Sequence, residues 1–426
     1  MARGSFVLRQ EDNAGRAGPD LGTEVLEWPI LPGRTTSVVS DLGWNLTPLG
    51  GVNAGVCDLV HVAVAAYIAD RRTARGARFG RDLSIHVSVL SEAWTSDLID
   101  KVEALLGWLT GDHWTLTTEA APEIDLPVAG ELSGGAVGPV SLLSGGLDSF
   151  MGAIYLHSQG EHPLFFGHKD TATSIQSAQS TIGQWLAGSY TPVPSYTRLV
   201  LHQGTKRIEK SSRSRSLLFL ALGIATATSV GASILLVPEN GYTGINLPLR
   251  PNRGGALSTR STHPETFHRV TSILKHLDIP VSIRNPFEWL TKGEAMQRVR
   301  DSNPPAGWIT TAGTTMSCSK LDGNWYGGSP NLNCGLCVPC MVRRATFLKA
   351  QIPDSSRYLF SELSGTQFDE LVSARRGDIE AVRYAIEAGV DTNAIESGTW
   401  PAYYDLDRVE DLVARGLAEL ALLELP

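Results

Sequence analysis

The sequence predicts an α/β protein: a doubly wound parallel sheet carrying a zinc knuckle, with a small N-terminal α/β domain and a helical C-terminal tail. Three observations predict it. Short apolar runs alternate with segments of helical period between residues 139 and 283. A Gly-Gly turn, Gly145-Gly146, separates the first of those runs from its helix. Four of the five cysteines crowd into residues 318–340. Strands and helices alternating at this spacing call for parallel pairing with helices over both faces.

At 426 residues the chain exceeds one ordinary domain. Residues 1–22 are polar and Gly-rich and are expected to be mobile. Val52, Val56, Leu59, Val60, Ala63 and Tyr67 recur at helical spacing, and Leu83, Ile85, Val87 and Val89 alternate with polar neighbours as in a half-buried strand. A second helix carries Leu98, Val102, Leu105, Leu106 and Leu109, and a short strand near Trp114–Thr118 completes an N-terminal domain over 23–119. Residues 120–138 read as a Pro/Gly/Ala linker. Over 139–355 the expected strands are Val140–Leu143, Leu164–Phe166, Arg198–Leu201, Ile234–Val237 and Val281–Ile283. Helices to Gln159, over Thr173–Leu186, over Ser214–Ser229 and over Pro264–Leu277 separate them. Residues 356–426 are expected to be a helical extension. Ala374–Asn393 faintly resembles one ankyrin repeat, but one repeat cannot bury a solenoid core, so a helical hairpin packed on the main domain is expected.

Lys+Arg 36 against Asp+Glu 44 leaves a net charge of −8, which argues against a broad nucleic-acid or anionic-membrane surface. The uncharged stretch Ser216–Pro238 changes pattern at Gly231, as a buried helix followed by a core strand would, so no membrane span is expected. The first 30 residues hold no apolar leader run, and a cytoplasmic location is expected. Cys57 stands alone as a small core residue.

The chemistry-bearing residues cluster at strand ends. Paired glycines let a backbone turn tightly and approach a ligand, and a helix opening from such a turn presents free N–H groups and its positive dipole end. Ser144, Gly145, Gly146, Leu147, Asp148 and Ser149 therefore form a candidate phosphate cradle, with Asp148 suited to Mg²⁺. It is not the Gly-x4-Gly-Lys-Ser/Thr loop, which the chain lacks. Ligands of doubly wound folds sit at the carboxyl ends of strands. Gly167 and His168 follow strand two, where His168 reads equally as an ordinary loop histidine. Arg213 and Arg215, with Lys206, Arg207 and Lys210, follow strand three as candidate phosphate clasps or a solvated helix start. Glu239 and Asn240 follow strand four as ligand-reading groups or a turn. Arg260, Thr262 and His263 lie in a segment long for a connector and read as part of a substrate lid, with Thr262 otherwise in the N-cap region of the next helix. Cys318, Cys334, Cys337 and Cys340 are spaced C-x15-C-x2-C-x2-C, the pattern of a closed Zn²⁺ site, with an iron–sulfur cluster and a redox pair as competing readings.

Ser144-Gly-Gly-Leu-Asp-Ser149 resembles the pyrophosphate loop of the ATP pyrophosphatase (PP-loop) superfamily. Cys334-Gly-Leu-Cys337-Val-Pro-Cys340-Met-Val-Arg343, with Phe347 beyond it, is similar to the zinc motif of the 7-cyano-7-deazaguanine synthase (QueC-like) family. The likeness covers about 138–350, and the added N- and C-terminal regions resemble the QatC branch found in bacterial antiviral defence operons. The resemblance implies an ATP- and Mg²⁺-dependent, AMP-forming ligase or synthase with a structural zinc. It implies catalytic roles for Asp148, Ser149 and Arg215, and ATP contacts from residues 144–149, Gly167, His168, Arg213 and Arg215. It further implies that Glu239, Asn240, Arg260, Thr262, His263 and Arg343 meet a deazaguanine-like carboxylate. Ammonia, or an amine of a protein partner from the same operon, would be the acceptor. The family's Tyr-Gly-Gln-Arg-His and Tyr-Pro-Asp-Cys strings are replaced here by Phe166-Gly-His-Lys and Glu239-Asn-Gly-Tyr-Thr-Gly, which leaves the second substrate open. A catalytically degenerate nucleotide-binding scaffold and a tRNA-modifying PP-loop enzyme are the other readings; net charge and the shortage of spare cysteines oppose the latter. An asparagine-synthetase-like amidotransferase would need a cysteine where Ala2 stands.

Overall fold

The computed structural model describes residues 2–11, 22–34, 37–76, 80–122, 126, 138–169, 172–204, 208–209, 211–251 and 259–426. The chain opens with β1 (Ala2–Gln10), β2 (Glu24–Trp28), β3 (Gly33–Arg34), β4 (Val38–Ser40), α1 (Ala54–Arg72), β5 (Arg81–Val89), α2 (Ser96–Thr110) and β6 (His113–Ala120). Next come β7 (Val140–Leu142), α3 (Leu147–Ser158), β8 (Leu164–His168), α4 (Thr173–Ser189), β9 (Tyr196–Leu199), β10 (Leu201–Gln203), α5 (Arg215–Ser229) and β11 (Ile234–Leu236). After α6 (Gly241–Ile245), α7 (Pro264–His276) and β12 (Ser282–Arg284) the chain is helical. The remaining helices are α8 (Lys292–Asp301), α9 (Trp308–Thr314), α10 (Val338–Ala350), α11 (Leu359–Glu362), α12 (Gly365–Ala388), α13 (Thr392–Glu396) and α14 (Leu406–Leu420).

A parallel sheet of order β2-β1-β5-β6 sets Phe6 opposite Ile85 and Ile85 opposite Leu116. Residues 2–10, expected to be mobile, are instead its inner strand β1. Phe6, Val7 and Leu8 are buried in succession, so the strand carries no alternation to betray it beside Gly-rich neighbours. A second sheet has the order β12-β11-β7-β8-β9. Numbered along the chain from β7, that order is 3-2-1-4-5, compatible with a doubly wound fold. The expected strand Arg198–Leu201 is broken at Val200, whose N–H and C=O bond to the Asp41 carboxylate and N–H at 3.0 Å each. Beyond the break, β10 joins a small sheet of order β10-β4-β3.

The chain packs as two compact units. One comprises Met1–Val140, Arg198–Leu236 and Thr259–Arg284, the other Ser141–Thr197, Val237–Ser258 and Asn285–Pro426. The expected continuous stretch 139–355 thus contributes to both.

In the first unit α1 packs on β1 and β5 and also on α5, so every residue of it but Ala54 and Arg71 is buried. An enclosed helix must pair the polar groups it carries. Asp58 accepts the Leu90 and Ser91 amides at 2.8 Å and the Trp94 indole at 3.0 Å. Asp70 faces Arg81, which is wholly buried and reaches Asp70 at 2.5 Å and Asp112 at 2.6 Å. The other Arg81 amino group donates to the carbonyls of Asp70 and Thr73 at 2.7 and 2.6 Å. Burial alone would raise the Asp70 pKa, but Arg81 and Ser214 hold it below the usual carboxylate value. As expected, the apolar stretch splits into α5 and β11 around Gly231, and among the described residues no helix is long and apolar enough to cross a membrane.

The second unit has two cores. Phe150, Met151, Ile154, Phe165, Ile182, Phe287 and Phe347 fill one. The other joins Met341 and Val342 of α10 to Leu371, Ile379 and Val382 of α12 and Val409 and Leu412 of α14. The ankyrin-like stretch 374–393 spans the end of α12, which Gly377 does not interrupt, and the start of α13, and α14 packs against α12 and α10 in keeping with the expected helical extension.

Arg81→Ala leaves the two buried carboxylates with Arg75 alone, at 3.4 Å from Asp70 and 2.9 Å from Asp112. Urea unfolding should show a loss of about 1–3 kcal/mol, and a loss below about 0.5 kcal/mol would mean that Arg75 takes over both carboxylates.

Candidate phosphate and metal sites

The chain leaves β7 through Leu143, whose carbonyl accepts the Tyr196 hydroxyl at 2.9 Å, and turns at Gly145 with φ 91°. A Cβ at Gly145 would be strained by that φ and would lie 3.1 Å from Gln179 Cγ. Gly146 is the N-cap of α3 and brings no side-chain cap to the first-turn amides and the positive helix end. The carbonyls that would repel an anion are tied back. Buried Gln179 donates to Ser144 O at 3.2 Å and to His168 O at 3.0 Å, Met316 N–H to Gly145 O at 3.0 Å, and Ser149 Oγ to Gly146 O at 3.0 Å. Ser149 Oγ also accepts the Ser144 N–H at 3.2 Å, and Ser144 Oγ the Gly146 N–H at 3.3 Å. Gln179 and Met316, neither singled out from the sequence, therefore shape the turn as much as its own residues do.

Asp148, in the first turn of α3, is buried and fully engaged. Lys292 Nζ stands 2.6 Å from Oδ2, and Asn240 Nδ2 donates to Oδ1 at 3.0 Å. Asn240 is the N-cap of α6, its Oδ1 accepting the Thr243 N–H at 3.0 Å. Thr243 Oγ1 donates to Glu239 Oε1 at 2.9 Å. Burial, then the nearby Asp148 charge, push the Glu239 carboxyl up to about 8 against the pull of Lys292. The geometry thus brings Asp148, Glu239 and Asn240 together and adds Lys292, which the sequence reading missed. Thr291-Lys-Gly-Glu294 forms a capping box at the start of α8. That pattern was legible as a helix start, but nothing in it pointed to Asp148. The lysine sits where Mg²⁺ was expected on Asp148.

Arg213, Arg215, Arg260, Thr262 and His263 belong to the first unit. Arg213 N–H donates to Asp70 at 2.8 Å and its guanidinium to the Thr110 carbonyl at 3.4 Å, while the Arg215 guanidinium stands 4.9 Å from the Phe219 ring centroid. Arg260 stacks on Trp108 at 3.9 Å and donates to its carbonyl at 3.0 Å. The N-cap of α7 is His263, not Thr262: Nδ1 accepts the Glu265 N–H at 3.1 Å, which requires a neutral ring. Burial, then Arg260, lower the His263 pKa to about 3. Lys206, Arg207 and Lys210 lie outside the described residues.

Arg343, expected to meet substrate, does not. It is wholly buried, and its five N–H groups go to Ser356 Oγ (3.1 and 2.8 Å), Thr315 Oγ1 (2.7 Å), Ser317 Oγ (3.3 Å) and Ala312 O (2.6 Å). It pins the 312–317 segment that leads into Cys318.

The Sγ atoms of Cys318, Cys334, Cys337 and Cys340 all lie within 4.8 Å of one another, with Cys318–Cys337 at 4.0 Å and Cys334–Cys340 at 3.9 Å. Tetrahedral zinc with bonds of about 2.3 Å spaces its sulfurs about 3.8 Å apart. These four cysteines could hold a metal ion such as zinc. Backbone amides already face the sulfurs, Cys334 N–H to Cys318 Sγ at 3.4 Å and Cys337 N–H to Cys334 Sγ at 3.2 Å. Hydrogen bonds from the other three pull the Cys318 thiol far below its ordinary value. Buried Asn333 accepts the Ser317 and Cys318 amides at 2.9 and 3.0 Å, joining the distant first cysteine to the other three. Gly335 turns with φ 87°, and a Cβ there would strike Phe360 at 2.1 Å. From α12, buried Arg375 pairs with Asp322 in the same loop.

No protein-family model matches this chain, and no curated protein matches it.

Cys340→Ser should drop bound zinc from about one ion per chain to near none by metal analysis of the purified protein. A colourless wild type with one zinc excludes the iron–sulfur alternative. His263 offers a pH test. Its folded pKa, about 3, is below its ordinary 6.5, so its contribution to stability is complete above pH 6.5 and is lost as pH falls toward 3. His263→Asn keeps an N-cap acceptor without a titrating ring, and should remove about 1–2 kcal/mol of the stability lost between pH 6.5 and 5 in urea unfolding.

Proposed function

We propose that this chain is an AMP-forming, ATP-dependent ligase or synthase of the QueC-like kind, with a structural zinc. It adenylates a 7-carboxy-7-deazaguanine-like carboxylate and passes the acyl group to ammonia or to an amine of a protein partner. The observation that carries this reading is where the uncapped start of α3 and the Asp148–Lys292–Asn240–Glu239 cluster fall. Asp148 follows β7 and Glu239 and Asn240 follow β11, the two strands at which the sheet order reverses, while Lys292 reaches them from the segment following β12; ligands of doubly wound folds bind at that reversal.

In the first step a substrate carboxylate oxygen attacks the α-phosphorus of ATP. The bond from that phosphorus to the α–β bridging oxygen breaks, and pyrophosphate leaves with its electron pair. The first-turn amides of α3 and its dipole would receive that charge, since the carbonyls of the turn are tied back. Lys292 adds a buried cation beside them. In the second step the amine nitrogen attacks the acyl carbon and AMP departs. The proton shed by the amine passes to solvent, since burial and the Asp148 charge favour the protonated form of Glu239. Magnesium, when bound, would spread the phosphates' negative charge, with Asp148 and Glu239 as the carboxylates on offer. Asp148 already carries Lys292 and Asn240.

ATP supplied with 7-carboxy-7-deazaguanine and ammonium should yield AMP and pyrophosphate, and Lys292→Ala or Asp148→Asn should slow AMP release by about 100-fold or more. ADP as product would overturn the chemistry. Nucleotide bound without turnover, with and without operon partners, would instead leave the scaffold reading.

A further inference from the structure

We infer that Glu419, on the C-terminal helix α14, is a positioning residue for the Asp148–Lys292 pair. This rests on reading that cluster as the catalytic site. Lys292 is the first residue of α8, so its ammonium is only as well placed as the start of that helix. Both oxygens of buried Glu419 hold that start. Oε1 accepts the Thr291 hydroxyl and Oε2 accepts the Gly293 N–H at 3.1 Å, the residues on either side of Lys292. A Cβ at Gly293 would lie 2.5 Å from Glu419 Oε1, so glycine there is what admits the carboxylate. One turn earlier on α14, Arg415 pairs with Glu294, the carboxylate that closes the capping box, and donates to Trp289 O at 3.3 Å. Between them, Gly416 lets α14 approach Tyr242 of α6, where a Cβ would come within 2.2 Å of the ring. Asn240, the second partner of Asp148, caps α6. One face of α14 therefore backs both helices whose starts hold Asp148.

A carboxylate buried only to stabilise the fold would serve as well through any geometry; this one brackets a single residue. Glu419→Ala is expected to release the start of α8 and let Lys292 leave Asp148. In ¹⁵N-lysine-labelled protein, the ammonium resonance of Lys292, assigned with Lys292→Arg, should broaden or move toward that of solvent-exposed lysines. AMP formation should fall about tenfold or more while KM for ATP stays within about threefold. Val409→Ala, a cavity in the same helix away from α8, is the control: it should lower Tm and leave the Lys292 resonance in place. Glu419→Gln keeps one acceptor and should give an intermediate resonance, which also covers failure of the alanine variant to fold. If Glu419→Ala lowers Tm like Val409→Ala and Lys292 stays at its wild-type position, the inference is overturned. If the wild type makes no AMP at all, the functional reading fails while the resonance still decides whether Glu419 positions Lys292.

Discussion

A carboxylate taken out of water has to be met by a charge or by hydrogen bonds, and Asp148 is the buried carboxylate on which the candidate site depends. Its position in the first turn of α3 puts it directly behind the Gly-Gly turn. Its partners must then come from elsewhere in the chain, and they come from the starts of two other helices, Lys292 of α8 and Asn240 of α6. Helix starts suit this task because their geometry is set by caps rather than by long flexible arms. Thr291 with Glu294 fixes one, and Asn240 with Thr243 fixes the other. The turn itself is shaped by the same economy of polar groups. Its carbonyls are bonded by Gln179, Met316 and Ser149, and the Ser144 and Gly146 amides by the turn's own serine hydroxyls.

The four-cysteine knuckle answers a different shortage. Between α9 and α10 the chain has little regular structure and few large apolar side chains to bury. Converging thiolates can organise such a segment where a hydrophobic core cannot. Asn333 and Arg343 extend that order outward, one by gripping the amides at Cys318 and the other by clamping residues 312–317 from α10. Arg343 is better understood as a bolt between helix and loop than as a ligand-binding group.

In the first unit, buried polarity is used for architecture. Asp70 holds Arg81 on one side and the start of α5 on the other, accepting the amides of Arg213 and Ser214 at 2.8 and 3.1 Å. His263 caps α7, and Arg260 lies against Trp108. The same residue types that read as ligand contacts in a linear sequence are here the caps and clamps of the helices beside them.

The sequence by itself determined the elements and the two motifs. The 3.6-residue and two-residue periods marked most helices and strands of 52–120 and 140–284, and Gly145-Gly146 and the cysteine spacing located the turn and the knuckle, because each of these signals is local. The Thr291–Glu294 pattern is local too, but it does not record what Lys292 touches. Tertiary structure alone decided the rest. β1 has no alternation to mark it because its inner half is buried on both faces, and which helices of the tail meet α10 is set by the packing of α12 and α14. Whether an arginine or histidine faces a ligand or caps a helix depends on which distant backbone groups are left without partners. That is a property of the closed fold, and no spacing along the chain records it.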